Sequence, residues 1–366
     1  MSDSPTAPQS VDELRKIIGE QPQVIAVGNQ TKRPLSNCPD ATPVSLREIA
    51  GITQYEPSEF TFTAMAGTPL AEIVAALNER QQYLPFDPVL VDAGATLGGT
   101  VAAGLSGPGR FRYGGIRDFL LAVTFISGDG KLIRSGGKVV KNAAGFDIPK
   151  FLIGSLGRLG VMTELTFKVF PKPTTMQTMQ IQCGSHEQAL ERMAVAAGST
   201  WELDAIDYQP DQQIVLLRIG GPEISNQAIA KQILSRWGSD ASVAADADDY
   251  WKRLRDLNWT DELTIAAKIP TTPNSVAEFC EKLPGSILFS AAANVAWRFM
   301  KDNDQVTDLS KVLSECETHG LVVRGNSDQC QIGRRVSSQI EDRIKHAFDP
   351  LEKYPSLERS QTEVNH

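Results

Sequence analysis

Apolar residues first recur at helical spacing in Val11, Leu14, Ile17 and Ile18, and Ser10-Val11-Asp12-Glu13 supplies a capping box at the start of that helix. A short apolar strand over 24–27 then runs straight into the polar turn Gly28-Asn29-Gln30-Thr31-Lys32-Arg33. Residues 60–66 alternate with period two. Thr68-Pro69 predicts an N-cap with proline at the first helical position, and Leu70, Ile73, Val74 and Leu77 form the buried stripe of the helix that follows. Pro85 and Pro88 forbid its continuation, so 89–93 is expected as a strand and 96–105 as a short helix. Leu121, Val123 and Phe125 alternate up to the turn Ser127-Gly128-Asp129-Gly130, and Leu132-Ile133 returns as the second arm of a hairpin. Asp147 starts a brief helix over 148–153. Val161, Thr163, Leu165, Phe167 and Val169 lie on one face of a strand ended by Pro171 and Pro173.

From about Met176 short strands alternate with amphipathic helices. Ser185 caps a helix carrying Leu190, Met193 and Ala197; 205–208 and 214–218 are strands, and 306–316 and 340–348 are helices. The chain is therefore expected to be α+β. Its 366 residues, 41% of them hydrophobic, suffice for two domains with buried cores. The expected boundaries are 1–175, 176–335 and a C-terminal helix and tail, 336–366, that returns toward the first domain.

A net charge of −8 without a polybasic run argues against nucleic acid and against an anionic membrane surface. The opening MSDSPTAPQS has neither a basic nor an apolar signal region, and no stretch reaches membrane-spanning length, so membrane insertion is not expected and a cytoplasmic location is. Cys38, Cys183, Cys280, Cys316 and Cys330 form no C-x-x-C pair and are expected as reduced thiols. Histidine occurs only at 186, 319, 346 and 366, with no metal-ligand spacing, so neither a metal site nor an iron–sulfur cluster is expected on this chain.

Candidate chemistry concentrates in VDAGATLGGTVAAGLSGPGRFRYGG, where glycines crowd residues 94–115. Residues without a Cβ let a ligand approach the backbone and let N–H groups converge, which suits a phosphate-bearing cofactor; the 96–105 helix would add its N-terminal amides. The turn 28–33 offers N–H groups and Lys32 or Arg33 to a diphosphate in the same way, although such a turn in isolation is more often ordinary surface. A P-loop is excluded, because Gly130-Lys131 and Gly137-Lys138 are followed by Leu132 and Val139. Gly94-Ala95-Thr96-Leu97-Gly98-Gly99 also misses the Rossmann spacing.

These segments, with Gly154-Ser155-Leu156-Gly157-Arg158-Leu159-Gly160-Val161-Met162-Thr163-Glu164, resemble the FAD-binding PCMH-type domain of the vanillyl-alcohol oxidase family. Lys141-Asn142-Ala143-Ala144-Gly145-Phe146-Asp147 and Gly104-Leu105-Ser106-Gly107-Pro108 are similar, more narrowly, to the E-subunit family of bacterial glycolate oxidase (glycolate dehydrogenase). The resemblance covers about 10–175 well and the remainder loosely. It implies two α+β subdomains that bind FAD, followed by an α+β cap over the isoalloxazine. It also implies that Gly28, Asn29, Gln30, Thr31 and Lys32 hold the diphosphate. Gly94, Ala95, Thr96, Leu97, Gly98, Gly99, Gly104, Ser106 and Gly107 would line diphosphate and flavin, and Gly160, Val161 and Thr163 would bracket the adenine side. Val161 and Thr163 are equally inward positions of a strand.

The sequence departs from the family at Leu156, where many members carry Glu or Gln, and after Phe348-Asp349-Pro350, which lacks the usual N-P-G. With no histidine before 186 and only Cys38 nearby, FAD is expected to be non-covalent. Related D subunits bring histidines to the substrate; no matching pair exists here, and no catalytic base is assigned. Trp251, Lys252, Arg253 and Arg255 could bind a carboxylate, though a solvated helix face explains them as well, and Arg298 sits in an apolar strand. The resemblance implies oxidation of a 2-hydroxy acid such as glycolate, together with a second FAD subunit and an iron–sulfur subunit. The alternatives are a non-catalytic assembly subunit or a stand-alone D-lactate-type dehydrogenase.

Overall fold

A computed structural model describes residues 5–137, 147–334 and 339–356. The segment 141–146 of the K-N-A-A-G-F-D motif lies outside the described residues. Helix α1 (Val11–Glu20) starts where the capping box predicts, with Ser10 Oγ accepting the Glu13 N–H. The Glu13 carboxylate closes the box one residue early, on the Gln9 N–H at 2.8 Å. Leu14 and Ile18 then join a core with Val24 of β1 (Val24–Val27), which pairs in parallel with β2 (Thr42–Ser45).

Next along the chain come β3 (Ile52–Glu56), β4 (Thr61–Met65), α2 (Leu70–Asn78), β5 (Gln82–Tyr83), α3 (Leu97–Ala103), α4 (Arg110–Tyr113), β6 (Leu120–Ile126), β7 (Leu132–Gly136), α5 (Ile148–Leu152), β8 (Val161–Lys168) and β9 (Phe170–Pro171). A five-stranded sheet forms in the order β3-β4-β8-β6-β7, and β5 pairs with β9. The expected hairpin is β6–β7, in antiparallel register from Ala122–Gly136 to Ile126–Leu132. Strand β8 lies between β4 and β6, so Met162 and Thr166 are buried as well as the predicted Val161, Leu165 and Phe167.

Two local expectations are corrected. Thr68 does not cap α2: its hydroxyl donates to the Met65 carbonyl at 2.7 Å and accepts the Gly51 N–H, while Pro69 occupies the cap position without a side-chain bond. Residues 89–93 form no strand. Leu90 and Gly94 both have positive φ, and the Gly94 and Ala95 N–H groups bond back to Val91 and Leu90, so consecutive tight turns replace a ladder.

The second half supplies β10 (Thr175–Gln182), α6 (His186–Ala197), β11 (Leu203–Gln209), β12 (Ile214–Gly221), α7 (Glu223–Trp237), β13 (Ala241–Val243), α8 (Ala247–Asp256), β14 (Ile265–Pro270), α9 (Val276–Lys282), β15 (Ile287–Ser290), β16 (Val295–Met300), α10 (Asn303–Glu315), β17 (His319–Arg324), β18 (Gln331–Gly333) and α11 (Gln339–Phe348). Nine strands form one sheet, in the order β13-β10-β12-β11-β15-β16-β14-β17-β18. Strand alternation gives it two apolar faces. Met179, Leu217, Ala267 and Ile269 pack with Met193 of α6, Ile233 of α7, Phe279 of α9 and Leu309 of α10. Leu216, Ala266, Trp297 and Phe299 join the core of the first half. After α11 the chain returns to the first sheet: Gly128 N–H donates to Phe348 O, buried Asp349 accepts the Lys353 and Tyr354 N–H groups, and Tyr354 Oη donates to Ile126 O at 2.8 Å. No helix among the described residues is long and apolar enough to cross a membrane.

Candidate functional site

A cavity of about 740 Å³, counting the space at its open mouth, lies where β1, α3 and the approach to β8 meet. Its floor is apolar, made by Ala26, Leu35, Leu46, Ala66, Ala102 and Met162; the turn 28–32 makes its polar wall. Among the described residues, none of the backbone N–H groups of Gly28 to Lys32 is hydrogen-bonded to a protein acceptor. Gln30 at φ +52° gives the turn the left-handed step that lets successive N–H groups point the same way. Lys32 is only 8% exposed, and its ammonium donates to Thr31 Oγ1 at 3.2 Å with no carboxylate partner among the described residues. Burial pulls its pKa down to about 8. Such a wall is arranged for an anion.

The three glycine-bearing segments converge here. Gly28 to Lys32, Thr96, Gly98, Gly99 and Gly160 all line the cavity. Asn29 Nδ2 ties the first segment to the second by donating to Gly94 O at 2.7 Å. Other predicted residues stand behind the wall. Ala95, Leu97, Val161 and Thr163 are core residues, Thr163 donating to Thr124 O; Ser106 Oγ accepts the Ile116 N–H; Gly104 packs on Gly154 and Gly107 on Asp87. The expectation that α3 presents its first amides to a ligand is corrected too. Leu97 N–H donates to Thr68 O, Gly98 N–H to Ala66 O and Gly99 N–H to the capping Thr96 Oγ1, so the first turn is already satisfied. Leu156, the position at which the sequence departs from the family, lines the cavity, and so does Gly157, which sits within the quoted motif but carries no role in the sequence reading. Met162 was passed over because alternation placed its neighbours inward, whereas both faces of β8 are covered.

The contact between the halves also buries charge, at Asp204, Asp207 and Arg218. Arg218 of β12 is paired with Asp87 and stacks on Trp251, with its guanidinium carbon 4.9 Å from the ring centroid. Arg112 of α4 bonds Asp204 of β11 at 3.0 Å. Asp207 is fully buried and accepts from Ser290 Oγ at 2.7 Å and Tyr250 Oη at 2.9 Å; burial nevertheless raises its carboxyl to about 6. Four of the five candidate carboxylate binders find other partners. Trp251 Nε1 donates to Thr178, Lys252 pairs with Asp92 and Asp256, Arg253 pairs with Asp249, and Arg298 donates to the carbonyls of Leu283 and Pro284.

A family model described as FAD binding domain matches residues 5–136. The chain is 33% identical over 249 residues to glycolate oxidase subunit GlcE of Escherichia coli (strain K12), covering 67% of each chain. It is 28% identical over 185 residues to glycolate oxidase subunit GlcD of Bacillus subtilis (strain 168), covering 49% of this chain and 39% of that one. Identity to D-lactate dehydrogenase of Anaerostipes hadrus is 32% over 138 residues, which is 38% of this chain and 29% of the relative. The fold is shared with alkyldihydroxyacetonephosphate synthase, at a TM-score of 0.69 and 15% identity over 97% of this chain and 78% of that one. The chain thus belongs to the PCMH-type family of FAD-dependent oxidoreductases that contains the glycolate oxidase subunits and D-lactate dehydrogenases.

Proposed function

We propose that the chain is the E-type subunit of a glycolate dehydrogenase, binding FAD non-covalently, oxidising a small 2-hydroxy acid to the 2-oxo acid and passing the electrons to a partner chain. The observation that carries this reading is the cavity wall at Gly28 to Lys32, where unbonded N–H groups and a buried ammonium face the same space. A flavin diphosphate fits that wall, because it offers acceptors to the N–H groups and negative charge to Lys32. Small residues at Gly99, Ala102, Ala103 and Gly157 leave the remaining wall open to a flat, largely apolar group. FAD, when bound, supplies a two-electron acceptor for the hydrogen on the hydroxyl-bearing carbon. The protein's part is to hold that carbon in place and to exclude water.

The similarity to glycolate oxidase subunits GlcE and GlcD supports a subunit role; a second FAD subunit and an iron–sulfur subunit are the partners this reading adds. A second reading, a subunit that holds FAD without turnover of its own, is favoured by where the histidines lie. His186 bonds Tyr208 Oη on the sheet face turned away from the first half, and His319 is exposed on β17. The test is to purify the chain, record its visible spectrum with added FAD, and add glycolate and D-lactate anaerobically. Bleaching by glycolate is expected. A protein that takes up no FAD ends the proposal, and a yellow protein that neither acid bleaches decides for the second reading.

A further inference from the structure

Arg158 lies in the turn that leads from α5 into β8 and is only 6% exposed. Its backbone carbonyl accepts the Lys345 ammonium at 2.8 Å, which fixes the main chain from α11. Its guanidinium makes one hydrogen bond among the described residues, from Nη1 to Cys38 Sγ at 2.6 Å, and its Nε is buried without a partner. A guanidinium taken out of water this way ordinarily sits against a carboxylate. The acid on this side of the molecule, Asp349, is already taken by Lys345 and by the N–H groups of Lys353 and Tyr354. Cys38 follows the 3-10 turn at Arg33–Ser36 and is half-buried. Ser36 and Gly157 both line the cavity, so the Cys38–Arg158 contact joins two segments at its edge.

A methionine would fill the place of Arg158 without burying an unmatched charge, so packing alone gives no reason for a guanidinium there. Two other thiols have a cation in reach, and in both the cation is matched by an acid. Arg192 beside Cys183 pairs with Asp240, and Lys282 beside Cys316 pairs with Glu278. Burial raises both thiols, and the Glu278 carboxylate raises Cys316 further. Of these three sulfurs, only that of Cys38 meets a cation with no acid against it among the described residues. An oxygen carried on that sulfur would bring the negative charge and the acceptors that the guanidinium lacks.

We infer that Cys38 is a site of reversible oxidation by hydrogen peroxide, with Arg158 stabilising the charge that develops on the oxygen and remains on the sulfenate. The sulfur's electron pair forms an S–O bond as the O–O bond of the peroxide breaks. Sulfur is oxidised by two electrons, and the second peroxide oxygen leaves as hydroxide and takes up the thiol proton to give water. Reduced flavins form hydrogen peroxide with oxygen, so a flavoprotein supplies the oxidant in its own surroundings. Cys38 is the sole cysteine before Cys183. A small thiol therefore returns it, by condensing with the sulfenic acid to a mixed disulfide that a second thiol reduces.

The test treats the FAD-loaded chain with hydrogen peroxide in the presence of dimedone, which traps sulfenic acids, and follows the labelled peptides by mass spectrometry. Cys316, half-buried like Cys38, is the internal comparison. Cys38 should be labelled about tenfold or more faster than Cys316, and a small thiol added before the trap should abolish its label. Arg158→Met should slow Cys38 labelling by about tenfold or more while keeping FAD content and melting temperature, and Arg158→Lys should recover part of the rate. Equal rates at Cys38 and Cys316, or a wild-type rate in Arg158→Met, would overturn the proposal. So would an Arg158→Met variant that is slower but has also lost FAD or melting temperature, if Arg158→Lys recovers no rate, because the guanidinium would then serve packing alone.

Discussion

Lys32 is where the cavity's electrostatics can be measured most directly. In the free chain its folded pKa, about 8, lies below the unfolded value of 10.5. Between those values the unfolded state carries more protons, so the Lys32 contribution makes stability rise with pH across that window, and below about pH 8 the buried ammonium is a standing cost. An anion in the cavity reverses this, because it favours the protonated form. FAD affinity should therefore be greatest below about pH 8 and weaken as pH rises through it. Lys32→Met should bind FAD about tenfold or more weakly at neutral pH and lose the pH dependence, while the free variant gains stability. Fluorescence titration of FAD into the apo-chain at several pH values, with thermal unfolding alongside, reads both effects; a pH-independent wild type would place the diphosphate elsewhere. The sequence offered Lys32 or Arg33 without deciding between them, because which of two adjacent cations turns inward depends on the short 3-10 turn at Arg33–Ser36.

At the scale of elements, α3 separates two reasons for glycine that look identical in the chain. A Cβ at Gly98 would stand 2.8 Å from Ala66 Cβ and 3.0 Å from Ala66 O, so the helix could not lie this close to the end of β4. A Cβ at Gly99 would meet only Thr96 Oγ1 at 3.0 Å; both glycines border the cavity, but a Cβ at Gly98 would be directed at Ala66. Gly98→Ala should cost about 1–3 kcal/mol by overpacking, and Gly99→Ala should leave stability level or raised, since alanine favours helix, yet lower FAD affinity. Thermal unfolding and FAD titration of the two variants give opposite patterns if this division holds. Local signals of this kind were well legible: the helix over 11–20, the β6–β7 hairpin and the caps at Ser10 and Ser185 all follow from a few adjacent residues. The strand expected over 89–93 failed because a short apolar run after a proline fits tight turns equally well, and the bond that settles the matter, Leu90 N–H to Arg255 O, comes from far along the chain.

Over the whole molecule, the order of the nine-stranded sheet was beyond the reach of sequence, since β15 pairs with β11 and β14 with both β16 and β17 across long separations that no local pattern encodes. The bond between the halves was equally hidden. Asp87 reads as part of a proline-flanked extended run and Arg218 as the end of a strand, yet they form a buried pair, and Asp87 Oδ2 also accepts the Gly109 N–H at 2.8 Å. The pair thus ties the loop at Gly109 to β12 of the nine-stranded sheet. Asp87→Ala leaves the Arg218 charge buried with only Trp251 beneath it and more distant acids, and should cost about 3–5 kcal/mol. Replacing both, as Asp87→Leu with Arg218→Met, removes the charge along with its partner and should restore most of that loss. Denaturant unfolding of the two single variants and the double variant closes the cycle. A coupling energy near zero would mean that Arg218 is held by Asp204 and Trp251, and that the halves are positioned by apolar packing alone.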